Sequence, residues 1–325
     1  MKKSGIVFLL LALLLFSPGV FANGTAETAA GQGTAPKKTK IAVVLKTLSS
    51  EYWQRVANGC KEAAKEFDVD LTISGPPTED AVVQQINMVE DALANKPDAL
   101  VFSPSQPQTA VNVLTKAKAA GLPVILIDTP MAVEGFDKYD TFIGTANYDA
   151  GVMGAEFLIK QMNGKKARVV IIEGAPGNPT CGQRATGAKD AFTKAGYVLV
   201  AYQPGYSDRE KAYNVMQNVL QTTDDIDIVF CANDDMALGA QRACAQANVK
   251  AKVSGFDGNK SALQSILAND LFCTIAQRPE NMGYLGIQYA LKKLKGEAFE
   301  KNIDAGVDVL YKDNAQAALD KLNAK

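Results

Sequence analysis

From Lys40 onward, short continuous apolar runs alternate with longer segments whose apolar residues recur every three or four positions. "KIAVVLKT" (40–47) is a β-branched run of strand length. In "SEYWQRVANGCKEAAKEF" (50–67), Trp53, Val56, Ala57, Cys60, Ala64 and Phe67 share one helical face. "VDLTIS" predicts a strand. "EDAVVQQINMVEDALANK" predicts a helix, with Val82, Ile86, Val89 and Leu93 in register. "PDALVFSP" predicts a strand, "QTAVNVLTKAKAAG" a helix closed by Gly121, and "LPVILIDT" and "YDTFIGT" two more strands. After Asn147 the alternation starts again. "DAGVMGAEFLIKQM" leads to "ARVVIIEG", "CGQRATGAKDAFTKAG" to "YVLVAYQP", "REKAYNVMQNVLQT" to "IDIVFCAN", and "MALGAQRACAQAN" to "KVSGFDG". A helix "KSALQSILAND", a strand "LFCTIAQ", a helix "NMGYLGIQYALKKLKG" and a last strand "AGVDVLY" complete the pattern.

Continuous apolar strands between amphipathic helices predict parallel sheets covered on both faces. Two such series predict two doubly wound α/β domains, in keeping with a length of 325 residues. In open sheets of this kind, ligands lie beyond the carboxyl ends of the strands. The first strand ends in Lys46, Thr47, Ser49 and Ser50, with Tyr52 and Trp53 just beyond. The third ends in Ser103 and the fourth in Asp128. In the second half the ends carry Glu173, Asn233 with Asp234, Asp257, and Gln277 with Arg278. These groups can hold a polar ligand, and they contain no base–nucleophile pair. Asn and Asp also lead at helix N-caps. On that ground Asp234 and Asp235 read as cap and first-turn acids, and Asn233 as a ligand contact.

Composition narrows the chemistry. The chain is 47% hydrophobic and 21% charged, with a formal net charge of −1, so no basic footprint points to nucleic acid. It contains no histidine, which excludes a Ser-His-Asp or Cys-His site and every histidine-ligated metal. Neither GxxxxGK[ST] nor GxGxxG occurs, and no cofactor is expected. The five cysteines, Cys60, Cys181, Cys231, Cys244 and Cys273, form no C-x-x-C pair, and their odd number leaves at least one unpaired. Cys60 and Cys244 read as buried thiols. "MKKSGIVFLLLALLLFSPGVFA" has two lysines, an apolar run too short to span a bilayer, and a small-x-small end at Val20-Phe21-Ala22. It reads as a signal peptide (1–22) cleaved after Ala22, followed by a flexible polar leader (23–39), which places the protein outside the cytoplasm.

The motifs "AVVLKTLSSEYW" (42–53), "VILIDT" (124–129), "GQRATGAKDAF" (182–192), "QPGYSDR" (203–209), "VFCANDDMALGA" (229–240), "GFDG" (255–258) and "TIAQRP" (274–279) occur in one order along nearly all of the chain after Lys40. Together they resemble the periplasmic sugar-binding proteins of the ribose/allose type, which feed ATP-driven importers. Lys46 before "TLSSEYW" is more similar to the allose branch. The resemblance implies a type I periplasmic-binding-protein fold, two doubly wound parallel-sheet domains joined by a three-strand hinge near Thr145–Asn147, Gln277–Arg278 and Gly306. The lobes would be 40–145 plus 279–305 and 146–278 plus 306–325. It further implies that Tyr52 and Trp53 stack on a monosaccharide, and that Asp128, Arg184, Asn233, Asp257 and Gln277 hydrogen-bond it. Asn147 would lie at the hinge, and Lys46, Ser50 and Ser103 would complete the site. The implied protein is a periplasmic monomer that delivers an aldose to the membrane subunits of an ABC permease. Ser50, Glu51, Ser103 and Ser207 depart from the pattern, standing where asparagine, proline, asparagine and an aromatic residue are usual. Ser50, Glu51 and Ser207 keep open another polyol or a furanone signal, with a chemoreceptor as partner. A glycosidase-like enzyme using Asp128 and Asp257 is the alternative from a different class.

Overall fold

The computed structural model of the protein describes residues 38–324; the expected signal peptide and most of the leader lie outside them. The chain runs β1 (Lys40–Val44), α1 (Glu51–Glu66), β2 (Asp70–Ser74), α2 (Val82–Ala94), β3 (Ala99–Phe102), α3 (Pro107–Ala119), β4 (Val124–Ile127) and β5 (Thr141–Gly144). The second series is α4 (Asn147–Gln161), β6 (Arg168–Glu173), α5 (Pro179–Lys194), β7 (Val198–Pro204), α6 (Arg209–Leu220), β8 (Ile228–Cys231), α7 (Asp234–Gln246), β9 (Lys252–Asp257), α8 (Lys260–Leu267) and β10 (Cys273–Ala276). It closes with α9 (Pro279–Leu294), β11 (Asn302–Asp304), β12 (Asp308–Tyr311) and α10 (Ala315–Asn323).

Two six-stranded sheets result, in the orders β11-β5-β4-β3-β1-β2 and β12-β10-β9-β8-β6-β7. Each sheet with its helices is a lobe. Every pairing in the first is parallel. In the second only β12 runs antiparallel, against β10, because the chain enters that edge from the other lobe. The chain passes between the lobes at 145–146, 277–278 and 305–307. The apolar strands are apolar because both faces are covered. Ile41 and Val43 pack with Val56, Cys60 and Ile287 of α1 and α9, while Ala42 and Val44 pack with Val89, Val113 and Leu114 of α2 and α3.

Local sequence places the helix starts at the cleft. Ser50, Asn178, Asp208 and Asn233 each cap a helix with a side-chain oxygen, and Pro179 opens α5. In the second lobe, α4 and α5 touch backbone to backbone. A Cβ on Gly151 would meet the Arg184 carbonyl oxygen at 2.2 Å, and one on Gly187 would meet the Tyr148 oxygen at 2.2 Å. Only glycine permits that approach, and it fixes the height at which Arg184 leaves α5. Two elements, β11 and α10, have no counterpart in the sequence pattern. Three residues are too few for a strand period, and α10 buries only Ala315 and Leu319. All five cysteines are free and buried.

Candidate functional site

The strand ends of the two lobes face one another across a small polar pocket. It is lined by Lys46, Ser50, Tyr52, Trp53, Glu79 and Asp128 from the first lobe, and Thr180, Cys181, Arg184, Ser207, Asn233 and Asp257 from the second. Its free volume is about 20 Å³, space for a single water. The reason is visible in the walls, most of whose polar groups pair with one another.

On the first-lobe side, Asp128 is the centre. Its Oδ1 accepts from the Tyr52 hydroxyl at 2.8 Å, its Oδ2 accepts from Thr129 Oγ1 at 2.8 Å, and Lys46 Nζ lies 3.3 Å from Oδ2. Lys46 and Asp128 are 2% and 3% exposed, so the pair is desolvated. Burial pushes the Asp128 carboxyl up, but Lys46, Arg184 and the two hydroxyl donors outweigh it, and the net shift is below the usual carboxylate range. Lys46 also reaches across to Asn178 Oδ1 of the second lobe at 3.5 Å, and Thr129 meets Thr180 there at 3.0 Å.

On the second-lobe side, Arg184 lies over the Phe256 ring, its Cζ 3.8 Å from the centroid. Its Nε donates to Asn147 Oδ1 at 2.8 Å, and its Nη1 donates to the Ala232 carbonyl at 3.0 Å and to Asp257 Oδ1 at 3.3 Å. Its Nη2 is buried and has no hydrogen-bond partner. Asp257 also accepts from Gln277 Nε2 at 2.7 Å, and Gln277 Oε1 accepts from Thr145 Oγ1 at 2.9 Å. Burial drives the Asp257 carboxyl well above its ordinary range, with Arg184 opposing it. Both central carboxylates sit on backbone in the positive-φ half of the map, Asp128 at 61° and Asp257 at 125°. Such conformations cost energy and persist where the surroundings over-determine them.

Eight of the eleven residues singled out in the sequence line the pocket: Lys46, Ser50, Tyr52, Trp53, Asp128, Arg184, Asn233 and Asp257. The other three stand one layer behind. Asn147 orients Arg184, Gln277 orients Asp257, and Ser103 is buried beside Thr129 at 3.5 Å. Asn233 is the cap of α7 and borders the pocket. Its Oδ1 accepts from Met236 N at 2.9 Å. Asp234 is structural: its two oxygens accept from Asn259 N at 2.7 Å and Thr274 Oγ1 at 2.7 Å, tying down the turn after Asp257. Glu173 accepts from Tyr202 at 2.8 Å and does not line the pocket.

The sequence reading missed Glu79, Thr180 and Cys181, and named Ser207 only as a departure. Glu79 sits in the loop after β2, between Ser74 and the start of α2 at Val82. Its Oε1 accepts from Trp53 Nε1 at 2.6 Å. Burial raises its carboxyl against the pull of Lys46 and the indole. Trp53 is 2% exposed and stands edge-on to Tyr52 at 5.1 Å, so it closes the core and the pocket together. Burial pushes the Cys181 thiol up to about 11, which keeps it protonated. Among the described residues, no group of three or more Cys, Asp or Glu is placed to hold a metal.

Residues 41–298 match the family described as periplasmic binding protein domain. The chain is 34% identical to the D-allose-binding periplasmic protein of Escherichia coli (strain K12) over 256 residues, 77% of this chain and 82% of that one. It is 32% identical to the ribose import binding protein RbsB of Bacillus subtilis (strain 168), over 94% of this chain and 97% of that one. A solved periplasmic solute-binding protein of an ABC transporter from Actinobacillus succinogenes 130z, with bound D-allose, superposes with a TM-score of 0.81. It shares 31% identity, and the match covers 86% of this chain and all of that one. The chain belongs to the periplasmic sugar-binding proteins of the ribose/allose type, the substrate-binding components of ABC sugar importers.

Proposed function

We propose that this protein clamps one aldose in the pocket between its lobes and hands it to the membrane subunits of an importer without chemical change. The observation that carries this reading is Arg184 Nη2, a buried guanidinium donor with no acceptor, at the wall of a pocket built from both lobes. A buried unmet donor is costly, and a sugar hydroxyl is the acceptor that fits a neutral, hydroxyl-rich ligand class. Asp128 and Asp257 can each bridge adjacent hydroxyls, Lys46 and Asn233 add donors, and the rings of Tyr52 and Trp53 supply apolar surface for the C–H faces. The relatives named for allose and ribose support the aldose class. With Lys46 in the site, D-allose is the first sugar to test.

The relatives named for sugar binding and import support binding without turnover. The protein acts as a monomer in the periplasm, with the signal peptide cleaved near Ala22.

Closure follows from the walls. With about 20 Å³ free, a pyranose enters only when the lobes part, and the hydroxyls then replace the cross-cleft pairs of Lys46 with Asn178 and Thr129 with Thr180. Titration calorimetry of the mature chain against D-allose, D-ribose, D-arabinose and a polyol panel tests this. One saturable 1:1 isotherm for an aldose is expected. Binding to none of them, or release of product from a reporter glycoside, would overturn the reading.

A further inference from the structure

The cleft holds a second space outside the first. It has a free volume of about 350 Å³ and is walled by the 47–51 and 78–79 loops of the first lobe and by Tyr206–Arg209 with Asp235 of the second. Ser50, Glu79 and Ser207 border both spaces. Two of the three residues of this shared wall are therefore serines, and the third, Glu79, is held by the Trp53 indole and Ser207.

We propose that this outer space is a subsite for a second sugar unit, so that the protein takes disaccharides whose terminal aldose fills the inner pocket, as well as the free aldose. The inference rests on the inner pocket being the aldose site. The volume lies in the range of small-molecule sites and far exceeds what the inner pocket leaves open. The walls are those of a sugar site. Thr47, Ser49 and Thr78 are hydroxyl-bearing, and Asp208 and the Arg209–Asp235 pair at 2.8 Å are charged hydrogen-bonding groups. Tyr206 is the one aromatic ring, 37% exposed, with Lys211 Nζ 5.1 Å from its centroid. An apolar aglycone finds no second apolar wall. An anionic sugar such as a phosphate ester meets Glu51, Glu79, Asp208 and Asp235 against the single cation Arg209. The chemistry that fits is a neutral glycosyl unit, one face on a ring and its hydroxyls on carboxylates and hydroxyls.

The backbone offers a clean test. Tyr206 and Ser207 both lie in the left-handed region, at φ 57° and 56°, where asparagine is tolerated. Tyr206→Asn therefore removes the ring without straining the turn, and Thr78→Trp fills the space from the other side. Calorimetry would compare the best-binding free aldose, its two methyl glycosides, and disaccharides carrying that aldose at the non-reducing end. One methyl anomer is expected to bind within about tenfold of the free aldose, and the disaccharide of that anomer at least as tightly. Both variants should weaken the disaccharide by about tenfold or more while leaving the free aldose within about twofold, with unchanged melting temperature. The subsite is overturned if the aldose binds but both methyl glycosides lose about a hundredfold, or if the variants affect aldose and disaccharide alike. Failure of every free aldose to bind overturns the inner-pocket reading, and the subsite with it.

Discussion

The carboxylate of Glu51, in the first turn of α1, caps the first turn of α8 across the cleft at Ser261. Its Oε2 accepts from the Ser261 hydroxyl at 2.9 Å and from the Ser261 amide at 3.2 Å, while Oε1 accepts from the Lys260 amide. An anion at a helix N-terminus is favourable, and here the helix and the anion belong to different lobes. Arg55, one turn further along α1, adds a second tie by donating to the Gly258 carbonyl at 2.9 Å. These bonds exist only while the lobes are together.

Glu51→Ala is therefore expected to lower the population of the closed form and weaken sugar binding by about 1–2 kcal/mol, with Glu51→Gln intermediate. Small-angle scattering should show a larger radius for the sugar-free variant than for the sugar-free parent. Equal affinity and equal radius would show that the contact follows closure without driving it.

The single tryptophan reports on the site. Its Nε1 donates to Glu79, and its ring borders the pocket and the core. Sugar titration is expected to change indole emission along one saturable curve, and Glu79→Gln to change the emission of the sugar-free protein. Trp53→Ala should cost affinity and, because the ring is also core, about 3–5 kcal/mol of stability. Emission that stays flat while calorimetry records binding would remove Trp53 from the site.

Asp257 and Arg184 are coupled at 3.3 Å in a buried setting. Asp257→Asn keeps the shape and the bond to Gln277 and should weaken binding by about 1–3 kcal/mol with the fold intact. Arg184→Met removes the cation that opposes protonation of buried Asp257, so the carboxyl turns neutral, and the variant should lose tight binding and part of its stability. Chemical denaturation beside calorimetry separates the two effects. A stable Arg184→Met that still binds normally would exclude the guanidinium from recognition.

Asp234 makes stability depend on pH. Burial raises its carboxyl to about 7, above its ordinary value of 3.8. Between these values the native chain holds a proton that the unfolded chain has released, so stability falls as pH rises from about 4 to about 7 and then levels off, by at most about 1.4 kcal/mol per pH unit. Asp234→Asn should flatten that interval in urea unfolding followed from pH 4 to pH 8. An unchanged slope in the variant would assign the dependence to other buried acids, Asp257 and Glu79 among them.

The alternation of apolar runs with three-to-four periodicities was enough to read two doubly wound α/β units. A parallel strand buried on both faces must be continuously apolar, and its covering helices must be amphipathic; both are local consequences of burial. For the same reason, the strand-end rule located Lys46, Asp128, Asn233 and Asp257, because a side chain just past a buried strand emerges at the sheet's open edge. The cap of α7 is Asn233, one residue before Asp234, which capping preference alone had favoured.

Tertiary structure decided what those residues do. Asn233, the extended cap residue, borders the pocket, and Asp234, the first residue of α7, turns back to hold Asn259 and Thr274; the difference is the direction in which each side chain leaves the backbone. Ser103, Asn147 and Gln277 lie beside the site in the chain's logic but one layer behind it in space, since Thr129, Arg184 and Asp257 stand in front. Glu79 was hidden because the pattern counted it into the helix that follows, whereas α2 begins only at Val82, and it meets Trp53 through packing between residues 26 apart. The sequence by itself determined the fold class and the edge of each sheet that carries chemistry, because burial and strand direction are written residue by residue. The identity of the pocket walls, the pairing of its charges and the cross-lobe cap at Ser261 depend on which distant segments meet when the two lobes close, and only the folded chain sets that.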